Sequence, residues 1–165
     1  MKEKGKCALN EVVISLGSNL DPEFNIPEAL LYLARYVTII RTAPIYETPA
    51  YGSEGPNYLN SAVLINTELS LALLKKEVLA PIENQLGRIR SADKYMDRTI
   101  DLDVLIFNQL VIDPELWTQA HIAVPAAQVF PDYSNPETGE KISQAAKRLL
   151  PGIDIKKRSD LSNPN

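Results

Sequence analysis

The chain has 165 residues, 45% hydrophobic and 23% charged, the proportions of an ordinary globular domain. Lys and Arg number 17 against 21 Asp and Glu, and the resulting formal charge of −4 argues against a nucleic-acid-binding surface. A single cysteine and a single histidine exclude an internal disulfide and a four-ligand Cys/His zinc site.

The basic residues at 1–6 are not followed by an apolar stretch of signal-peptide length, and no apolar run could span a bilayer. The expectation is one cytoplasmic domain over 1–165, with 1–10 and 156–165 flexible and no membrane partner.

Residues 12–16 form an apolar run closed by Gly17-Ser18-Asn19, which reads as a buried strand and a turn. Pro27 suits a first helical turn, and Leu30, Leu33, Ala34 and Val37 follow at helical spacing, predicting a helix over 26–36. A β-branched strand then runs from Val37 to Tyr46, and 49–56 is a loop by composition. Residues 58–65 read as a strand. Ser70 caps a helix whose apolar positions Leu71, Leu74, Val78, Ile82 and Leu86 recur every three or four residues; Pro81 should kink it and Gly87 end it.

After a charged, irregular stretch over 88–99, residues 100–107 form a strand. Pro114, Pro125, Pro131 and Pro136 punctuate the next segment, a last short helix reaches Leu150, and the polar tail from Lys156 reads as mobile. The order strand, helix, strand, strand, helix, strand describes an α+β chain: a ferredoxin-like antiparallel sheet with helices on one face, plus C-terminal additions.

Asp101 and Asp103 carry the strongest chemical signal. Residues two apart on a strand share a face, so both carboxylates project together while Ile100, Leu102 and Val104 point the other way. Neighbouring like charges repel, and a divalent cation bridging to phosphate oxygens relieves that repulsion. The bland alternative gives one Asp a turn to cap and the other an arginine to pair with. Arg88, Arg90, Lys94 and Arg98 lie just ahead of the carboxylates, and guanidinium forks suit phosphate oxygens. The alternative there is a solvated charge run pairing with Asp93 and Asp97. Together the two features describe a nucleotide–Mg²⁺ site without a glycine-rich phosphate loop.

Thr48, Pro49 and Tyr51, followed by Tyr58 and Asn60, could hold a flat heterocycle and read its polar edge, or could pack tyrosines on the core. His121 is a possible phosphate contact or an incidental loop residue. The Ser18-Asn19 turn, Cys7 and Trp117 suggest no chemistry, and Trp117 reads as packing.

These pieces, quoted as Leu16-Gly17-Ser18-Asn19-Leu20, Tyr46-Glu47-Thr48-Pro49, Tyr58-Leu59-Asn60, Ile82-Glu83-Asn84-Gln85-Leu86-Gly87-Arg88-Ile89-Arg90 and Arg98-Thr99-Ile100-Asp101-Leu102-Asp103, resemble the 6-hydroxymethyl-7,8-dihydropterin pyrophosphokinases of folate synthesis. The resemblance covers residues 12–113. It implies a ferredoxin-like fold and transfer of pyrophosphate from ATP to the pterin hydroxymethyl group, with release of AMP. By position it implies two Mg²⁺ ions on Asp101 and Asp103, and charge stabilisation at the transferring group by Arg88 and Arg98. Glu83 and Arg90 would help place the nucleotide, and His121 would contact a phosphate. Thr48, Pro49, Tyr51, Tyr58 and Asn60 would line the pterin pocket, and the loops 49–56 and 88–98 would close over both substrates. A monomer or weak dimer is expected.

The chain departs from the family pattern at three places. Met96-Asp97 stands where Gly-Pro is usual, His121 lies in Ala120-His121-Ile122, and an arginine-and-aromatic segment ahead of Val124 is missing. A binding homologue with little catalysis, and a non-catalytic interaction domain whose acids and arginines merely pair, are the alternatives to an active short-form enzyme.

Overall fold

The computed structural model describes residues 8–50, 54–89 and 97–164. Among the described residues, seven strands form one antiparallel sheet: β1 (Asn10–Ser18), β2 (Thr38–Thr42), β3 (Tyr46–Thr48), β4 (Tyr58–Thr67), β5 (Asp101–Phe107), β6 (Leu110–Val111) and β7 (Lys156–Lys157). The spatial order is β6-β5-β1-β4-β3-β7, with β2 sharing the edge of β4 beside β3.

The helical elements are α1 (Pro22–Leu33), α2 (Leu71–Leu74), a π-helical turn (Lys75–Leu79), α3 (Ala80–Gln85), α4 (Ala120–Val129) and α5 (Ile142–Leu149), with 3₁₀ turns at Pro114–Trp117 and Leu150–Gly152.

Val12, Val13, Ile14 and Leu16 of β1 are all buried because both faces of the strand are covered. Val12, Ile14 and Leu16 pack with Leu102 and Val104 against Ile26, Leu30 and Leu33 of α1 and against Leu74, Val78 and Ile82. Val13 turns to the opposite face, where Leu64 and Leu105 meet Ile122, Ala126 and Val129 of α4 and Ile142 and Ala145 of α5. The α+β sheet with two helical units on one face is thus as expected, and the C-terminal additions clothe the other face. A register shift places Leu105 as an extra residue between the pairs Val13↔Ile106 and Ile14↔Val104.

Four local expectations are corrected. The first helix starts at Pro22, not at 26, so Pro27 lies inside it and Asn25 is buried, donating to the Leu20 carbonyl at 2.7 Å. Two prolines five apart each resemble a helix start, and Pro22 occupies the first turn. The strand from Val37 to Tyr46 is broken at 43–45 into β2 and β3. The proline-punctuated segment holds α4, with Pro125 inside it and Ile122, Val124 and Val129 buried. The tail beyond Lys156 is tied down: β7 pairs with β3, Arg158 donates its backbone N–H to Ile45, and Asn163 donates to the Ala43 carbonyl and the Ser61 hydroxyl.

Ser70 caps α2 by accepting from Leu73 N–H, and Gly87 ends α3 at φ +81°, both as predicted. Ahead of Pro81 the chain widens into the π-helical turn. A proline ring displaces the carbonyl four residues back, and a wider turn is one way to absorb it.

Candidate active site

The strand register builds the floor of the site. Asp101 pairs with Gly17, Gly17 with Asn60, and Asn60 with Tyr46, so these residues form a row across β5, β1, β4 and β3. Directly paired residues present their side chains on the same face. Asp103 and Ser15 form the row on one side of it, and Thr48 and Tyr58 the row on the other. Gly17 contributes no side chain between the acid and the amide. A cavity of about 650 Å³ stands over this floor, lined by Ser15, Gly17, Thr48, Pro49, Tyr58, Asn60, Arg98, Asp101 and Asp103. Its far wall comes from Glu115, Thr118, Gln119 and His121 and from Leu149, Gly152 and Ile153.

The two acids share this face while Leu102 and Val104 lie in the core beneath α1, yet their surroundings differ. Asp101 accepts from Arg88 at 2.6 Å through one carboxylate oxygen and from Arg98 through the other. Arg88 also donates to Glu83 at 2.9 Å, and Glu83 accepts the Leu102 N–H at 2.9 Å. Glu83 is 3% exposed. It and Arg88 are absent from the cavity lining: both stand behind Asp101, so Glu83 serves the site by holding Arg88 and the start of β5.

Asp103 has no ion-pair or hydrogen-bond partner among the described residues. Asp103 is exposed to the cavity, while neighbouring protein atoms crowd its carboxyl. Desolvation, then the like charges of Asp101, Asp113 and Glu83, push its carboxyl up to about 7 against the weaker pull of Arg88. An all-oxygen pair on one face, one member electrostatically unsatisfied, suits a hard divalent cation.

On the opposite side Asn60 donates to the Thr48 hydroxyl at 2.9 Å, both residues being buried. This leaves the Asn60 amide oxygen without a partner among the described residues. Burial holds the Tyr58 phenol above its usual range. His121, in the first turn of α4, lines the cavity, and desolvation lowers its pKa with Asp113 partly opposing, so the ring is neutral at pH 7. Trp117 stacks on Tyr133 at 6.3 Å between centroids, a packing role.

Of the other predicted site residues, Tyr51 and Arg90 lie outside the described residues, as does most of the loop 88–98. Glu115, Thr118 and Gln119 escaped sequence reading because polar residues in a proline-rich stretch carry no periodic signal. Asn19 escaped as well: 3% exposed, it accepts the Arg98 N–H at 2.7 Å and donates to Asp97 at 2.8 Å.

A sheet-floored cleft that sets paired carboxylates and guanidiniums against an amide-and-tyrosine wall defines a small-molecule transferase of the phosphoryl-transfer type. The family model for 7,8-dihydro-6-hydroxymethylpterin-pyrophosphokinase matches residues 13–131, and the chain belongs to this family of pyrophosphokinases of folate biosynthesis. It is 33% identical over 152 residues to the 2-amino-4-hydroxy-6-hydroxymethyldihydropteridine pyrophosphokinase of Bacillus subtilis, covering 85% of this chain and 90% of that one. The enzyme of the same name from Synechocystis is 30% identical over 162 residues, with 87% and 82% covered. The fold matches the crystal structure of Plasmodium falciparum HPPK-DHPS wild type with pteroate, with a TM-score of 0.68 at 16% identity over 87% of this chain. This chain spans 43% of that longer one. Among the described residues no helix is long and apolar enough to cross a membrane.

Proposed function

We propose that this cavity is where the chain carries out its family's reaction, transferring pyrophosphate from ATP to the hydroxymethyl group of 6-hydroxymethyl-7,8-dihydropterin and releasing AMP. The observation that carries the reading is the row Asp101–Gly17–Asn60. It sets a metal-suited carboxylate and a heterocycle-reading amide on either side of a glycine, on one cavity floor.

Asp101 and Asp103 would hold two Mg²⁺ ions against the triphosphate; when bound, these supply Lewis-acid polarisation of the phosphate oxygens. Arg98 reaches the cavity and offers guanidinium donors to the transferring group, and Arg88 behind it holds Asp101 in orientation. Tyr58, Thr48 and Pro49 provide a wall for the pterin ring. With its amide nitrogen turned to Thr48, Asn60 presents its oxygen to the pterin's donors and so fixes the ring's orientation. The hydroxymethyl oxygen then attacks the β-phosphorus. The bond from that phosphorus to the α,β-bridging oxygen breaks, AMP departs with that oxygen, and the hydroxyl proton passes to solvent. Arg90 and His121 complete the nucleotide contacts and Tyr51 the pterin pocket. The enzyme works in the cytoplasm as a monomer or weak dimer.

The test is AMP release with ATP, Mg²⁺ and hydroxymethyldihydropterin as sole acceptor. AMP formed in proportion to acceptor, and lost in Asp101→Ala, is the expected result. Nucleotide consumption indifferent to the acceptor would overturn the reading.

A further inference from the structure

Arg98 is held by its backbone as well as by its side chain. Its N–H donates to the Asn19 side-chain oxygen at 2.7 Å, and its carbonyl accepts from the backbone N–H groups of Asn19 and Leu20 at 3.0 and 3.2 Å. The Asn19 amide then donates to the Asp97 carboxylate at 2.8 Å. One buried side chain from the turn after β1 therefore grips two successive residues at the point where the chain enters β5. The sequence offered no chemical role for Asn19, and the reaction described above does not use it.

We propose that Asn19 is a positioning residue for Arg98, acting through its side-chain pair with Asp97. The inference rests on the functional reading only in supposing that Arg98 meets the transferring group. An arginine side chain has several rotatable bonds, so its reach into the cavity is defined only as well as its own Cα is held. Here the peptide groups on both sides of that Cα are bonded to the β1–α1 turn, and the preceding carboxylate is anchored to the same amide. With these bonds intact, the Arg98 guanidinium meets Asp101 from a fixed origin. Without the amide, the Arg98 N–H loses its acceptor and Asp97 its donor, and the guanidinium is no longer aimed.

Asn19→Asp removes the donor and sets a second carboxylate against Asp97. Adding Asp97→Asn to Asn19→Asp restores the pair with its polarity reversed: the introduced amide at 97 donates to the introduced carboxylate at 19, which still accepts the Arg98 N–H. The expected result is a fall in kcat of about 10- to 100-fold in Asn19→Asp, the range for residues that orient a directly acting group. KM for the pterin should change less than about twofold, and the double variant should recover most of the loss. Hydrogen exchange at the Arg98 amide, which needs no turnover, should accelerate in the single variant and slow again in the double. Unchanged kcat and exchange in Asn19→Asp would overturn the proposal, as would a double variant no better than the single.

If Asn19→Asp fails to fold, Asp97→Ala removes only the half-buried partner. A lowered kcat with an unshifted melting temperature supports the proposal, and wild-type kcat refutes it. A wild-type protein that releases no AMP, yet shows the expected exchange pattern, would separate failure of the functional reading from failure of this one.

Discussion

Arg88 and Asp101 are joined across 2.6 Å with both side chains largely withdrawn from solvent, and Arg98 grips the other oxygen of the same carboxylate. The bland alternative for this acid, pairing with arginine, therefore holds. It does not compete with metal binding, because a carboxylate has lone pairs for both. Asp101→Asn should lower kcat by about a thousand-fold or more, the scale of losing a group that acts on developing phosphate charge. It should also let the freed arginines bind an ATP analogue without Mg²⁺ more tightly than in the wild type. Calorimetry with and without the metal measures this, and metal-free affinity that stays at the wild-type value would contradict the account.

Asp103 predicts a pH dependence of defined sign. Its carboxyl titrates near 7 in the folded chain, above the ordinary 3.8, so the folded state holds a proton that the unfolded state has released. This group's contribution to stability is complete below about pH 4 and is lost as pH rises toward 7. A cation must displace that proton in acid but meets a bare carboxylate in alkali. The rise in melting temperature given by Mg²⁺ with a non-hydrolysable ATP analogue should be larger at pH 8 than at pH 6, and Asp103→Asn should flatten the difference. An equal rise at both pH values in the wild type would exclude Asp103 as a ligand.

Glu83 supports Arg88 and the Leu102 N–H from a buried position. Glu83→Ala would leave a guanidinium with one partner and a backbone donor with none, costing about 3 kcal/mol. Glu83→Gln keeps one acceptor and should cost less. Denaturant unfolding of the two variants checks the order, and a reversed order would mean that the acceptor bonds to Arg88 and the Leu102 N–H do not stabilise the fold.

How far the site could be read from sequence follows from what each residue's neighbours along the chain reveal. Asp101 and Asp103 were legible because strand alternation alone puts them on one face. The row that joins Asp101 to Asn60 was not, since it depends on the pairing of β1 with both β4 and β5, which no local pattern states. Asn19 reads as an ordinary turn residue until the entry to β5 is folded against it. α4 was hidden by Pro125, whose helix-breaking tendency is outweighed by the burial of Ile122, Ala126 and Val129 against the second sheet face.

Gly17 sets the space between the acid and the amide. A Cβ there would lie 3.7 Å from the Asn60 oxygen and 3.9 Å from the Tyr58 ring, ordinary contact distances, so alanine should be accepted. The branches of a valine must instead enter the cavity that Gly17 lines. Gly17→Val should fold with a near-native melting temperature and raise KM for the pterin about tenfold or more, the scale of a misplaced or displaced reactant. Affinity for the ATP analogue should hold, and a pterin KM equal to that of the wild type would remove the ring from this part of the floor.

The tail beyond Ile155 fastens the strand that carries Thr48. β7 pairs with β3, Arg158 bonds Glu47 at 3.0 Å and lies 3.8 Å from Glu23 of α1, and Leu161 packs on the core. β3 is only three residues long, and its edge away from β4 pairs with β7. Removing residues 156–165 would expose that edge and loosen the Thr48–Asn60 bond on which the free amide oxygen depends. The truncated chain should melt several degrees lower and show a pterin KM raised about 3- to 10-fold, while the ATP analogue, held from β5, binds as before. If both substrates weaken together, the tail acts on the whole fold; if neither does, β3 holds its wall without help.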